Sequence, residues 1–448
     1  MRGEEELREG VMGIFWVLTR SDRSTTLNVT DSLPGHARLL TDGIEVRVMV
    51  PAGQQDLEQA MREFDRSESL EELWLVGQTE AGMFVLPEVR RSRRQIQLGG
   101  SKPSVRTYRG PAAITGANPA SLSTKITKLT VEFPNPAWAG LNPVNEKLTV
   151  QQATSRRSID VALRPTDSID AGKVGSLRLR LTGTWYRSAD SRRSSVEITS
   201  ALKLSVDGRA GSVRDYIDIA TRVQDLVSLA YDAFLPATAA TVHTPGESAS
   251  DGLRLWHHSL LDAAQKDPPP AASDAPYFRL KDLDPRSIAR WVTLTRQYPD
   301  VSHAISVRDR ARRGTAARTL QLGAAIELYV TQCRTEGRSR GSTPKWTSKR
   351  SKHDTFASAL ARHAGPAFAE FVGDVDDWGR AFTDTYNGAK HPTSRAASGI
   401  LNVAAELLLI VTMLNRAGMS RRCSSAFLRH HQIREIGGHV RDLLETVD

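Results

Sequence analysis

One short stretch of this 448-residue chain holds side chains suited to metal-free acid–base chemistry: Tyr386-Asn387-Gly388-Ala389-Lys390-His391. A histidine titrating near neutrality can take a proton from a ribose hydroxyl or return one to a leaving oxygen, which makes His391 the candidate catalyst. Asn387 lies one helical turn before it, and its amide can orient an imidazole or bond a phosphate oxygen. Lys390 adds a cation beside the histidine, whereas Tyr386 offers a hydroxyl hydrogen bond and no charge. Each has a plainer reading. A lone histidine near a turn caps or faces solvent, and Tyr386 falls on an apolar stripe where it would simply pack.

Two helices must display this stretch. Phe371, Val375, Trp378, Phe382 and Tyr386 recur at steps of three and four, and so do Ile400, Val403, Leu407, Ile410, Val411 and Leu414. Asn387-Gly388 and Pro392 favour a turn between them, and Gly418 marks a stop. The spacing therefore predicts helices over 366–386 and 394–417 with His391 at their junction. Further helical periods include one opened by Asp284 and Pro285 and carrying Ile288, Trp291, Val292 and Leu294. Another covers 316–333 with Leu320, Ala324, Leu328 and Glu327, and a shorter one covers 354–363. Residues 337–352 read as a polar, basic loop.

Upstream the period is two. Residues 44–50, 129–133, 159–163, 177–181 and 202–206 alternate apolar and polar side chains, as half-buried antiparallel strands do. Asp207-Gly208 reads as a tight turn. From Ser212 the period becomes helical through Val213, Ile217, Ala220, Val223, Leu226 and Leu229, and Leu253–Trp256 suits one more strand. Breaker-rich residues 267–273 precede a boundary placed near 282. The fold class is α+β, with a β-rich part over 1–282 and an all-helical part over 283–448.

The helical setting of Asn387 and His391 resembles the HEPN superfamily, four-helix-bundle proteins of which many are metal-independent ribonucleases. Their signature is an arginine, four to six residues, then a histidine, commonly with asparagine straight after the arginine. Tyr386 occupies the arginine position here. The order of parts also resembles the ApeA-type anti-phage proteins, on Gly13-Ile14-Phe15-Trp16, on Gly77-Gln78-Thr79-Glu80-Ala81-Gly82 and on the helix ending Leu226-Val227-Ser228-Leu229-Ala230. The resemblance implies a sensing or regulatory N-terminal domain answering a phage-derived trigger. It also implies an endoribonuclease with RNA as partner, acting as a homodimer with two motifs in one cleft. Glu327 matches a position where family members often carry an acidic residue, and a solvated or salt-bridged glutamate is the alternative. With the arginine lost, a degenerate module that binds RNA or a protein without cleaving is the second reading.

The net charge of +9 is compatible with a polyanionic partner. Lys345, Trp346, Lys349, Arg350, Lys352 and His353 interleave cations with an aromatic, a pattern that suits a phosphate backbone and a stacking base, as it suits a solvated loop. Arg395 is a further candidate for RNA, and Lys390 or Arg395 a partial substitute for the missing arginine. Arg380 is too far along its helix. Arg90, Arg91, Arg93 and Arg94 form a second cluster at an expected strand edge or loop, and Arg421, Arg422, Arg429, His430 and His431 a third. The two cysteines, Cys333 and Cys423, suit free thiols of a reducing cytosol rather than a disulfide framework. No export signal is visible, and the longest apolar run, 401–414, carries Asn402 and Glu406; a cytoplasmic protein with no membrane contact is expected. The adjacent histidine pairs lack metal-ligand spacing, and no phosphate loop or nucleophile elbow is present. No metal and no cofactor is implied.

Overall fold

The computed structural model describes residues 7–446 apart from 20–26, 28–30, 52–72, 81, 96–103, 117–124, 135, 152–155, 165, 191–194, 246–251, 262–274, 308–314, 340–343, 348–353 and 391–398. An antiparallel β part precedes a helical part, the α+β arrangement that the change of period predicts. The first strands are β1 (Val11–Thr19), β2 (Leu33–Leu40), β3 (Gly43–Val50), β4 (Leu73–Thr79), β5 (Gly82–Gln95), β6 (Ser104–Gly110), β7 (Ala112–Thr115) and β8 (Lys125–Pro134). A separate hairpin, β9 (Val144–Gln151) with β10 (Arg156–Leu163), comes before β11 (Ile169–Val174), β12 (Leu177–Asp190) and β13 (Ser195–Ser212). Two short strands, β14 (Ala239–His243) and β15 (Leu253–His257), follow the first long helix, α1 (Val213–Tyr231).

Among the described residues, all strands but β9 and β10 join one sheet, ordered β11-β12-β13-β8-β14-β15-β7-β5-β4-β1-β2-β3-β6. Strand β5 pairs three times: residues 82–89 with β4, Phe84 and Val85 with β7 on the other side, and residues from Arg90 onward with β6. Because β6 also pairs with β3, the six strands β5-β4-β1-β2-β3-β6 close into a barrel, and closure removes open edges. Alternation fills its interior with Phe15, Val46, Val48, Leu75, Phe84, Leu86 and Tyr108. Two stretches that carried the family resemblance are partners here, with Gly13 opposite Thr79 and Phe15 opposite Gly77. A Cβ on Gly77 would stand 2.5 Å from the Phe84 ring and 3.0 Å from that of Phe15. Glycine is therefore what lets those rings meet edge to face at 6.1 Å.

Asp207-Gly208 is not a turn. Strand β13 runs on to Ser212 with an irregular register after Asp207, which ion-pairs with Arg180 across the sheet at 3.1 Å. Residues 267–273 lie outside the described residues.

The remaining helices are α2 (Ser287–Gln297), α3 (Pro299–Ile305), α4 (Thr315–Ser339), α5 (Phe356–Ala364), α6 (Pro366–Val372), α7 (Val375–Ala389), α8 (Gly399–Ala417), α9 (Arg421–Leu428) and α10 (His431–Glu445). Helix α1 packs on β8 and β13 and also on α2, whose Trp291 Nε1 donates to the Arg222 carbonyl at 3.0 Å. One apolar cluster runs from the sheet through α1 into the later helices. Residue 282 ends a short 3-10 turn, Leu280–Asp282, within that stretch of continuous core. Helix α2 begins at Ser287 rather than at Pro285, and Asp284 accepts from the Arg286 N–H just before it.

The single helix read over 366–386 is two. Gly373 takes φ 86°, and Asp374 Oδ1 accepts from the N–H of Asp376 at 2.7 Å and of Asp377 at 3.0 Å, ending α6 and opening α7. Helix α7 then runs through Asn387 and Gly388, because the buried stripe Trp378, Phe382 and Tyr386 holds it against its neighbours to the end. Helix α4 extends to Ser339, beyond its expected end, and turns a different face inward. Leu328 is 50% exposed, while Leu322, Ala325, Ile326 and Tyr329 are buried.

Helices α4, α5, α7 and α8 all pack against one another. Among the described residues α8 alone is long and apolar enough to cross a membrane, and 78% of its apolar window lies buried in the protein. Its polar residues meet α4. Asn402 accepts from the Thr319 hydroxyl at 2.9 Å and donates to the Thr315 carbonyl at 3.2 Å, and Glu406 pairs with the buried guanidinium of Arg318. Val403, expected on the packed stripe, is 39% exposed.

Removing one partner of a buried ion pair strands the other. Glu406→Ala should lower the unfolding free energy by about 3–5 kcal/mol, and Arg318→Met with Glu406→Leu should recover most of that loss. Urea unfolding measures both, and a Glu406→Ala midpoint at the parent value would contradict the account.

Candidate functional site

Tyr386 stands three residues from the end of α7 and is only 6% exposed. Its ring lies flat on α4, where a Cβ added to Gly323 would come within 2.2 Å of it. Its hydroxyl donates to Glu327 Oε2 at 3.1 Å, one helical turn along α4 from that glycine. Lys390 Nζ sits 3.8 Å from the ring centroid, a cation–π contact from the solvent side. Burial pushes the Tyr386 phenol up; the Lys390 hydrogen bond opposes that and the Glu327 carboxylate adds to it, so the hydroxyl stays a donor at neutral pH. Glu327 is therefore the acceptor that satisfies a buried tyrosine.

The structure brings together Tyr386, Asn387 and Lys390, with Glu327 behind them. Asn387 and Lys390 are exposed on the last turn of α7, where the Lys390 N–H donates to the Asn387 carbonyl at 3.2 Å. His391 and Arg395 lie outside the described residues, as do Lys349, Arg350, Lys352 and His353. Lys345 and Trp346 sit in a 3-10 turn, Lys345–Thr347, away from Tyr386. Trp346 stacks on His363 of α5 with ring centroids 4.1 Å apart and planes 8° from parallel. Its neighbour on α4 is Tyr329, toward the far end of that helix from Gly323.

The other basic clusters lie on other elements. Arg90, Arg91, Arg93 and Arg94 are on β5 at the barrel seam, not at an edge, opposite Arg109, Tyr108, Thr107 and Arg106 of β6. Nearby, Arg47 and Arg109 hold the 7% exposed Glu45 at 2.7 and 2.8 Å. Burial pushes that carboxyl up, but the Arg109 and Arg47 hydrogen bonds and charges outweigh it and leave it below the ordinary range. Arg380 is spent on Asp377, and Arg429 pairs with Glu370 at 2.6 Å. Among the described residues no cluster of three or more His, Cys, Asp or Glu is placed to hold a metal. Cys333 is buried and Cys423 half-buried, both as free thiols.

The sequence did not point to a group beyond the Trp346–His363 stack. Cys333 and Glu336 on α4 and Arg416 on α8 line one cavity, with Tyr298 at the close of α2 donating to Glu336 from behind. They come from three separated segments, and no local pattern links them.

The family described as ApeA N-terminal domain 1 matches residues 52–291, more than half of the chain. The chain belongs to that family. Membership points to anti-phage defence as the setting. The matched ApeA region takes in strands β4 to β15 and α1, and ends at Trp291, the residue that ties α2 to α1. Strands β1 to β3, which complete the barrel, precede it. No curated protein and no solved structure matches the chain.

Two substitutions test the Tyr386 geometry by urea unfolding. Gly323→Ala forces a methyl into the Tyr386 ring and should cost about 1–3 kcal/mol. Tyr386→Phe keeps the ring and loses one hydrogen bond, for about 1 kcal/mol. Equal, negligible effects would contradict the packing described. The Glu45 carboxyl gives a pH prediction. A folded value below the unfolded one contributes stability that is full above about 4.5 and fades as pH falls through the lower folded value. Glu45→Gln should flatten that acid limb of the stability curve as pH falls below about 4.5, and an unchanged slope would contradict the assignment.

Proposed function

We propose that the protein is an anti-phage defence factor whose helical part, residues 283–448, is an HEPN-type module acting on RNA under control of the N-terminal part, residues 1–282. In this reading His391 is the proton-transfer residue of a metal-independent endoribonuclease. Asn387 orients it or contacts a phosphate oxygen, and Lys390 supplies positive charge. The observation that carries the proposal is the exposed pair Asn387 and Lys390 on the last turn of α7, immediately before His391, within four mutually packed helices. The ApeA family supports the biological setting. A homodimer would bring two such turns to one cleft, and two copies of Lys390 would offset part of what the tyrosine lacks. A phage-derived component would be the trigger.

A second reading has its own observation. Tyr386, where the family carries arginine, is buried on Gly323 and bonded to Glu327, so it does not present its hydroxyl to a phosphate. Losing a charged transition-state contact costs roughly a hundred- to a thousandfold in rate. The module would then bind RNA or a protein without cleaving it.

Incubating the purified chain with total RNA and EDTA separates the two. RNA cleavage that His391→Ala abolishes is the expected result. Cleavage undiminished in His391→Ala would remove the assigned catalyst. No cleavage by the parent, with activity gained in Tyr386→Arg, would establish the non-cleaving reading.

A further inference from the structure

The outer face of the barrel carries a band of arginines. Alternation turns Ala37, Leu39, Val46, Val48, Val89 and Tyr108 into the interior, so their neighbours on β2, β3, β5 and β6 face outward. The register then sets Arg38 opposite Glu45, Glu45 opposite Arg109 and Arg109 opposite Arg90, a row across four strands. A second row, two residues along, pairs His36 with Arg47, Arg47 with Thr107 and Thr107 with Arg93.

Glu45 organises the middle of this band. Arg47 donates to its Oε1 through Nε at 2.8 Å and Nη2 at 2.7 Å, and Arg109 donates to its Oε2 through Nε at 3.1 Å and Nη2 at 2.8 Å. Each guanidinium spends one edge of its fork on the carboxylate and keeps the Nη1 side for another acceptor. Their side chains are 61% and 49% exposed, so that side reaches solvent. Arg38 and Arg90 are exposed and make no hydrogen bond or ion pair among the described residues. A recess of about 210 Å³ lies among His36, Arg38, Arg47 and Arg109, with Glu45 in its lining.

Four guanidiniums, those of Arg38, Arg47, Arg90 and Arg109, share the one carboxylate of Glu45 in these rows, so the face is strongly positive. Like charges set directly opposite one another, as Arg90 and Arg109 are, lower the stability of a sheet. A bound anion relieves that repulsion. The first row crosses three strand spacings, about 14 Å, which is the length of about four phosphates of a stacked strand. A single small anion would occupy the recess and leave Arg90 unused. The barrel is closed, so an acidic peptide would find no free strand edge there to pair with. No Phe, Tyr or Trp stands in either row to stack on a base.

From these features we propose that the outer face of β2, β3, β5 and β6 binds the phosphate backbone of a nucleic-acid strand without reading its sequence. Planar guanidinium forks match phosphate oxygens, and backbone contacts position a strand whatever its bases. The face belongs to the N-terminal part, and the proposal does not depend on the nuclease reading.

The test is fluorescence anisotropy of labelled oligouridylate and oligothymidylate with the full chain carrying His391→Ala, over a series of salt concentrations. Oligouridylate should bind, and more weakly as salt rises. Equal binding of oligothymidylate identifies the backbone common to both strands, and binding of oligouridylate alone identifies an RNA backbone. Arg38→Ala and Arg90→Ala touch no internal bond and should leave the circular dichroism and unfolding midpoint unchanged. Each should weaken binding about 5-fold at ~0.1 M salt and reduce the slope of log affinity against log salt by about 0.7, with the two effects multiplying in the double variant. Arg338→Ala, which removes the same charge from α4, should leave binding unchanged. No binding of either oligonucleotide would overturn the proposal. So would a double variant that binds as the parent does, an Arg338→Ala loss equal to that of the barrel variants, or inorganic phosphate or polyglutamate competing as well as the unlabelled strand at equal charge.

Discussion

The arrangement of the helical part depends on a polar seam between two helices, α4 and α8. Glu406 and Asn402 interrupt the long apolar helix α8, and they meet Arg318 and Thr319 on α4. Apolar surfaces slide over one another at little cost, whereas a buried carboxylate and guanidinium must coincide or pay several kcal/mol each in lost solvation. The seam thus fixes the rotation and height of α4 against α8. Everything of chemical interest on α4 follows from that register. Gly323 and Glu327 come to lie under Tyr386, and Cys333 and Glu336 come to lie beside Arg416.

Helix α4 therefore serves two places that do different things. Near its middle it supports the last turn of α7, where Asn387 and Lys390 are exposed. Toward its end it forms a charge-balanced wall with an aromatic stack opposite. The first place is a short exposed turn, and the second is a cavity lined by Cys333, Glu336 and Arg416.

The β part is joined to these helices by a continuous core rather than by a loose tether. Helix α1 lies between the sheet and α2, Trp291 bonds back to α1, and Arg296 of α2 reaches Asp218 of α1 at 2.6 Å. Gly172 of β11 approaches Ala289 of α2 closely enough that a Cβ there would come within 3.0 Å. Arg416 borders the cleft beside this contact as well as the cavity beside Trp346. Any change of shape in the N-terminal part thus has packed side chains, and not a flexible linker, through which to reach the helices.

The sequence by itself determined the class and order of the parts. Period-two alternation up to residue 206 and helical spacing from Val213 onward reflect which faces must leave water, and burial of those faces is a local property of the pattern. It also marked Tyr386 as a packed residue, because the tyrosine shares a stripe with Trp378 and Phe382. Only the tertiary structure decided that β5 pairs with β6 as well as β4 and so closes a barrel, that Gly373 and Asp374 divide one helical stripe into two helices, and that Asn387-Gly388 continues a helix instead of breaking it. The same holds for the inward face of α4, which carries Arg318 and Thr319 and leaves Leu328 in solvent. Those outcomes depend on partners far away in the chain, such as Arg90 meeting Arg109 or Arg318 meeting Glu406. Local propensities of a kcal/mol or less give way to such contacts, and no spacing rule within one segment can foresee them.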